Sequence, residues 1–155
     1  MRQTETLNMK EHNLMNTNQL FMNSELIPEK EVTLVNLSLI LEQACLAHIL
    51  EKEDRIYLNE DGIFPFWIRI FESAHILAFS TYIKAPEGKT EEELLKFCNK
   101  VNQDFLVPSA YVRDDRIWCF FPLYIKDHLQ KSHLLRLIRY FGDGCSKVKS
   151  ELRLM

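Results

Sequence analysis

A chain of 155 residues, 46% of them hydrophobic, suffices for one globular domain that buries roughly two-thirds of its unfolded surface. Four glycines and five prolines exclude a fibrous or low-complexity chain. A net charge of -3 gives no general attraction to a polyanion; residues 1–62 carry five Lys/Arg against eleven Asp/Glu, and only residues 126–155, with seven against three, are basic.

The first 30 residues differ in kind from the rest. Asn8, Asn13, Asn16, Asn18 and Asn23 punctuate a polar stretch with sparse apolar groups, Leu14, Met15, Leu20, Phe21, Met22, Leu26 and Ile27. Residues 1–30 therefore read as an N-terminal arm, in part disordered, whose apolar groups have a body to dock on. Residues 31–155 are the folded domain. Helical spacing of Leu34, Leu37, Leu41, Ala44 and His48 predicts a helix from about Thr33 to Leu50, ended by Glu51-Lys52-Glu53-Asp54. Its apolar sector, widened by Val35, Leu39, Leu46 and Ile49, exceeds the stripe of a surface helix.

Three strands follow: Arg55–Leu58, then Phe64–Phe71 after an Asp61-Gly62 turn, then His75–Ile83. Thr90 and Glu93 form a capping box, so a second helix begins there; it carries Leu94, Cys98, Val101 and Phe105 and stops at Val107-Pro108. Ala110–Arg113 and Arg116–Tyr124 read as a hairpin about Asp114-Asp115. The last helix starts near Ser132 with the stripe Leu134, Ile138, Phe141, Cys145, Val148, Leu152. The stripe runs unbroken across Gly142 and Gly144, which predicts one long helix despite about 1 kcal/mol lost per interior glycine. The order is α-β-β-β-α-β-β-α. Such an order makes an α+β fold: a twisted antiparallel sheet of about five strands packed by helices.

Two of the strands are apolar on both faces. Phe66, Ile68 and Ile70 alternate with Trp67, Arg69 and Phe71; Ile117, Cys119, Phe121 and Leu123 alternate with Trp118, Phe120 and Tyr124. An antiparallel sheet usually turns a polar face to water. The second face here is a candidate partner or dimer interface built from Trp67, Phe71, Tyr82, Trp118, Phe120 and Tyr124. The arm, the last helix or a partner could each cover it.

No catalytic signature stands out. There is no G-x-S-x-G, no Walker loop and no G-x-G-x-x-G. Cys45 and His48 share a helix face in this reading, but two ligands make no metal site. The four cysteines, Cys45, Cys98, Cys119 and Cys145, form no C-x-x-C and sit in apolar patterns as small buried hydrophobes; His75 also falls in one. Reduced thiols, with no signal segment and no membrane-length apolar run, point to a reducing cytoplasm. A nucleic-acid stacking platform of Trp67, Trp118 and Phe120 with Arg69 or Arg116 is disfavoured by the sparse cationic flanks.

Four stretches carry a family likeness: Ile56 to Gly62 leading into Phe66-Trp67-Ile68; the helix Leu94 to Phe105 with Asn99 and Asn102; the hairpin Tyr111 to Trp118; and the helix from Ser132. Together they resemble the YbjN family, described as putative bacterial sensory transduction regulators, over roughly residues 33–152. Two features depart from that family's pattern. Ile125-Lys126-Asp127-His128 stands where a glycine pair often precedes the last helix, and the arm has no counterpart. The resemblance implies a fold similar to type III secretion chaperones, with no established active site to carry over. It also makes Asn99 and Asn102 family marks, with structural hydrogen bonding as their default role. The chain is thus expected to be a non-enzymatic protein-binding module without cofactor or metal, working as a homodimer or on a client protein. The alternatives are a nucleic-acid-binding regulator using Arg136, Arg139, Lys147 and Lys149, or a small enzyme pairing His48 or His75 with a cysteine.

Overall fold

The computed structural model describes residues 24–52 and 54–155. Leu14 to Met22, the apolar part of the expected arm, lie outside the described residues. In chain order the elements are β1 (Leu26–Pro28), α1 (Leu34–Gln43), β2 (His48–Glu51), β3 (Arg55–Leu58), β4 (Phe66–Phe71) and β5 (Ile76–Lys84). Then come α2 (Glu91–Asp104), β6 (Ser109–Arg113), β7 (Arg116–Tyr124), β8 (His128–Gln130) and α3 (Lys131–Leu152). The fold is α+β. A six-stranded antiparallel sheet runs in the order β2-β3-β4-β5-β7-β6, and β1 pairs with β8 in a separate two-stranded ribbon.

The sheet has six strands where about five are expected, because the helix expected to reach Leu50 ends at Gln43 and its tail becomes β2. Cys45 adopts a left-handed backbone, φ 54°, and its N–H donates to Glu42 while that of Leu46 reaches back to Leu41. That pair of bonds is a Schellman stop. Its key position usually holds glycine, so cysteine hid the stop. Two elements of different period then summed to an apparently wide helical face. Cys45 is accordingly exposed, against the expectation of burial, whereas Cys98, Cys119 and Cys145 are buried.

Both turns with acidic residues form as read. Asp114 and Asp115 have φ of 51° and 53°, the doubly left-handed turn that matches hairpin twist. The capping box of α2 is complete: Thr90 Oγ1 accepts from the Glu93 N–H, and the Glu93 carboxylate accepts from the Thr90 N–H. α3 lacks a side-chain cap of its own. Glu25, just before β1, supplies it, accepting from the Ser132 N–H at 2.9 Å, and this bonding to Ser132 holds its carboxyl below the usual range. Ile27, two residues further on in β1, is fully buried.

The helical stripes and one sheet face build a single core. Phe141 of α3 packs its ring on Phe66 and Phe79 at 4.9 and 5.7 Å, and Leu134, Ile138, Cys145 and Val148 are buried beside it. Inward-facing Ile56, Leu58, Ile68, Leu77, Ile117 and Cys119 are solvent-free. Inward-facing Thr81 donates its hydroxyl to the Pro65 carbonyl, so its burial leaves no orphan donor. α3 is one uninterrupted helix, and its glycines are contact points. A Cβ at Gly144 would lie 2.4 Å from the Val107 carbonyl oxygen, and one at Gly142 would lie 2.6 Å from Ile63 Cγ2. Because α3 lies on the inner face, it is not the cover of the second face.

Candidate functional site

Strand register places the six expected residues, Trp67, Phe71, Tyr82, Trp118, Phe120 and Tyr124, on one face, opposite the helices. Trp67, Ser80, Phe120 and Ser109 lie in one cross-strand row, and Tyr57 extends it onto β3. Tyr82, Trp118 and Tyr111 form a second row; Phe71, Ile76 and Tyr124 form a third toward the other end. Trp67, Trp118 and Phe120 are half-buried, while Tyr82, Phe71 and Tyr124 are 36%, 46% and 64% exposed. Cross-strand rings are neighbours by geometry, and here they form a chain. Tyr57 meets Trp67 at 5.3 Å, Trp67 stacks on Tyr82 at 5.9 Å, and Tyr82 meets Trp118 at 5.3 Å.

Arginines lie over this chain. Arg55 sits 5.4 Å from the Trp67 ring centroid and Arg116 sits 4.3 Å from that of Tyr82. Arg69 instead faces Asp54 at 3.8 Å. The indole N–H groups of Trp67 and Trp118 are shielded from solvent and have no hydrogen-bond partner among the described residues. Tyr57 and Tyr111 belong to the face but were not singled out from the sequence. Each lies between inward apolar neighbours, Ile56 and Leu58 or Ala110 and Val112, so period-two alternation carried the signal.

The other sequence candidates fall elsewhere. Cys45 and His48 do not share a helix, as just described. They do line one open groove with Glu42 and Glu60, yet His48 Nε2 bonds Ser38 Oγ at 2.7 Å and Nδ1 meets the Leu46 carbonyl at 2.8 Å. With both ring nitrogens engaged, His48 is not placed to take a proton from Cys45. His75 is half-exposed rather than buried and pairs with Glu29, in a pocket that contains no cysteine. Among the described residues no group of three or more His, Cys, Asp or Glu is placed to hold a metal ion, and no helix is long and apolar enough to cross a membrane.

Burial pushes the Cys98 thiol up to about 11 and raises that of Cys145 further, with Cys119 adding to both. These are packing groups, not nucleophiles. Arg136, Arg139 and Lys147 are exposed along α3 with Asp143 between them, and Lys149 turns to the Phe64 ring at 5.5 Å. Asn102 has a definite task. It accepts from the Ala110 N–H at 2.7 Å and donates to the Ala110 carbonyl at 2.9 Å, occupying both groups on edge strand β6.

Comparison with known proteins gives one family and one fold. A family model described as "YbjN: Putative bacterial sensory transduction regulator" matches residues 13–153. No curated protein matches to a significant degree. Among solved structures, the crystal structure of YbjN, described as a putative transcription regulator from E. coli, aligns with a TM-score of 0.65. It shares 16% sequence identity, over 78% of this chain and 91% of that one, a likeness of fold.

Proposed function

The chain belongs to the YbjN family of putative bacterial sensory transduction regulators, and from that premise we propose that it is a non-enzymatic regulator that binds protein through its outer sheet face. The carrying observation is that Trp67, Phe71, Tyr82, Trp118, Phe120 and Tyr124 share the face opposite every helix. A whole aromatic side chain has ~150–250 Å2, of which Tyr82, Phe71 and Tyr124 leave between a third and two-thirds open, so at ~25 cal/mol per Å2 covering these three is worth several kcal/mol before the costs of association. Contiguous apolar patches of this kind mark interfaces. The partner is a second copy of the chain or a client protein, met in the bacterial cytoplasm.

Phe71 and Tyr124 are exposed enough to carry charge without disturbing the core. The test is solution mass at micromolar concentration, with iodide quenching of the two tryptophans, for the native chain and for Phe71→Asp/Tyr124→Asp. A dimer that the double variant splits, with both tryptophans becoming quenchable, supports self-association. A native monomer that retains a client from extract, and a double variant that does not, supports the client form. An unchanged mass together with an unchanged set of retained proteins refutes the reading.

A further inference from the structure

The outer face ends in a row of like charge. Beyond Tyr82, Trp118 and Tyr111 the register sets Lys84, Arg116 and Arg113 opposite one another on three adjacent strands, all exposed. Like charges so placed oppose sheet pairing. Within the row only Arg113 has a carboxylate within ion-pair range among the described residues, Asp114 at 3.4 Å, and that pair is well exposed.

The same corner holds a groove of about 480 Å3. Tyr82 and Lys84 line it from β5, Phe64 from the segment before β4, and Lys149, Leu152 and Arg153 from the end of α3. No acidic side chain is among its lining residues. Lys149 and Arg153 also complement the negative end of the α3 dipole, which accounts for those two. It does not account for Lys84 and Arg116, which arrive from strands.

We propose that this corner receives an acidic segment of a partner protein, its carboxylates meeting Lys84, Arg116, Lys149 and Arg153 and its apolar side chains lying on Trp118 and Tyr111. The inference rests on the docking face proposed above and names the chemistry of its occupant. Charge complementarity requires an anion. The stacking of Trp67 on Tyr82, 20° between planes, and the guanidinium over Tyr82 leave few open ring faces for nucleic-acid bases.

The probes are a labelled peptide of about ten residues alternating glutamate with leucine, its lysine–leucine counterpart, and an oligothymidylate of about equal length. Each is titrated against the full chain by fluorescence anisotropy at about 0.05 and about 0.5 M salt. The acidic peptide should bind and weaken about tenfold or more at high salt. It should weaken comparably in Lys149→Glu/Arg153→Glu and in Lys84→Gln, the second variant serving if the first fails to fold. No binding of the acidic peptide, equal binding of the lysine peptide, tighter binding of the oligothymidylate, or indifference to both charge variants each overturns the proposal. If Trp118→Ala abolishes peptide binding while the charge variants do not, the docking face stands and the acidic corner fails.

Discussion

Replacing Gly144 with alanine separates intrinsic helix preference from tertiary contact. In a solvated helix the change would stabilise by about 1 kcal/mol, since alanine is the better helix former. Here the new Cβ would lie 2.4 Å from the Val107 carbonyl oxygen, 2.8 Å from Pro108 Cδ and 3.1 Å from the Val107 carbonyl carbon. Two of these atoms are backbone, in the segment leading into β6, so relief requires α3 or the sheet edge to move. Overpacking of this kind costs about 1–3 kcal/mol or more. We expect a net loss of roughly 1–2 kcal/mol, or about 2–8 °C in Tm for a chain of this size. Gly142→Ala is the internal control. Its close neighbour is the Ile63 Cγ2 methyl at 2.6 Å, with the Phe64 nitrogen at 3.3 Å. That methyl sits on a β-branched carbon that is stiff at χ1, so it yields only in part, and Gly142→Ala should lose stability too but less than Gly144→Ala, whose new Cβ meets backbone directly. Urea unfolding with a common m value measures both variants. A Gly144→Ala protein about 1 kcal/mol more stable than the native one would refute the close-approach argument.

Other substitutions probe the remaining local devices. Asn102→Ala leaves the Ala110 N–H and carbonyl without their partner and should cost about 1–2 kcal/mol by the same unfolding assay; no loss would show that water replaces the asparagine freely. Cys45→Gly should stabilise by roughly 0.5–1 kcal/mol, because glycine adopts the left-handed stop at no steric cost; a destabilised variant would refute the Schellman assignment. Of the four thiols, only Cys45 should react with an aromatic disulfide reagent in the native state near neutral pH, with the other three released by denaturant. Burial keeps Cys98 as the thiol until far above neutrality, so rapid labelling of a second cysteine at about pH 8 would contradict the packing.

Local signals were legible wherever the deciding chemistry lay within a few residues. The capping box at Thr90 and Glu93, the Asp114-Asp115 hairpin and the unbroken stripe of α3 depend on nearest neighbours, and each formed where it was read. The end of α1 was not legible, because a cysteine occupies a position where glycine normally announces the stop. The task of Asn102 was also hidden. Its partner Ala110 lies across a turn, and only the packing of α2 on the sheet edge brings the two together.

The sequence by itself determined that two strands are apolar on both sides, since alternation along a strand is local stereochemistry. Within each strand it therefore grouped Trp67 with Phe71, and Trp118 with Phe120 and Tyr124; that these and Tyr82 share one face comes from register between strands. Only the tertiary structure decided which face the helices take. Phe141 commits α3 to Phe66 and Phe79, so the longest helix is spent on the inner side. Register across strands then gathered Lys84, Arg116 and Arg113, which are scattered in sequence, into one row. Periodicity fixes how residues divide within one strand. Pairing, which acts between segments distant along the chain, fixes which charges and rings become neighbours.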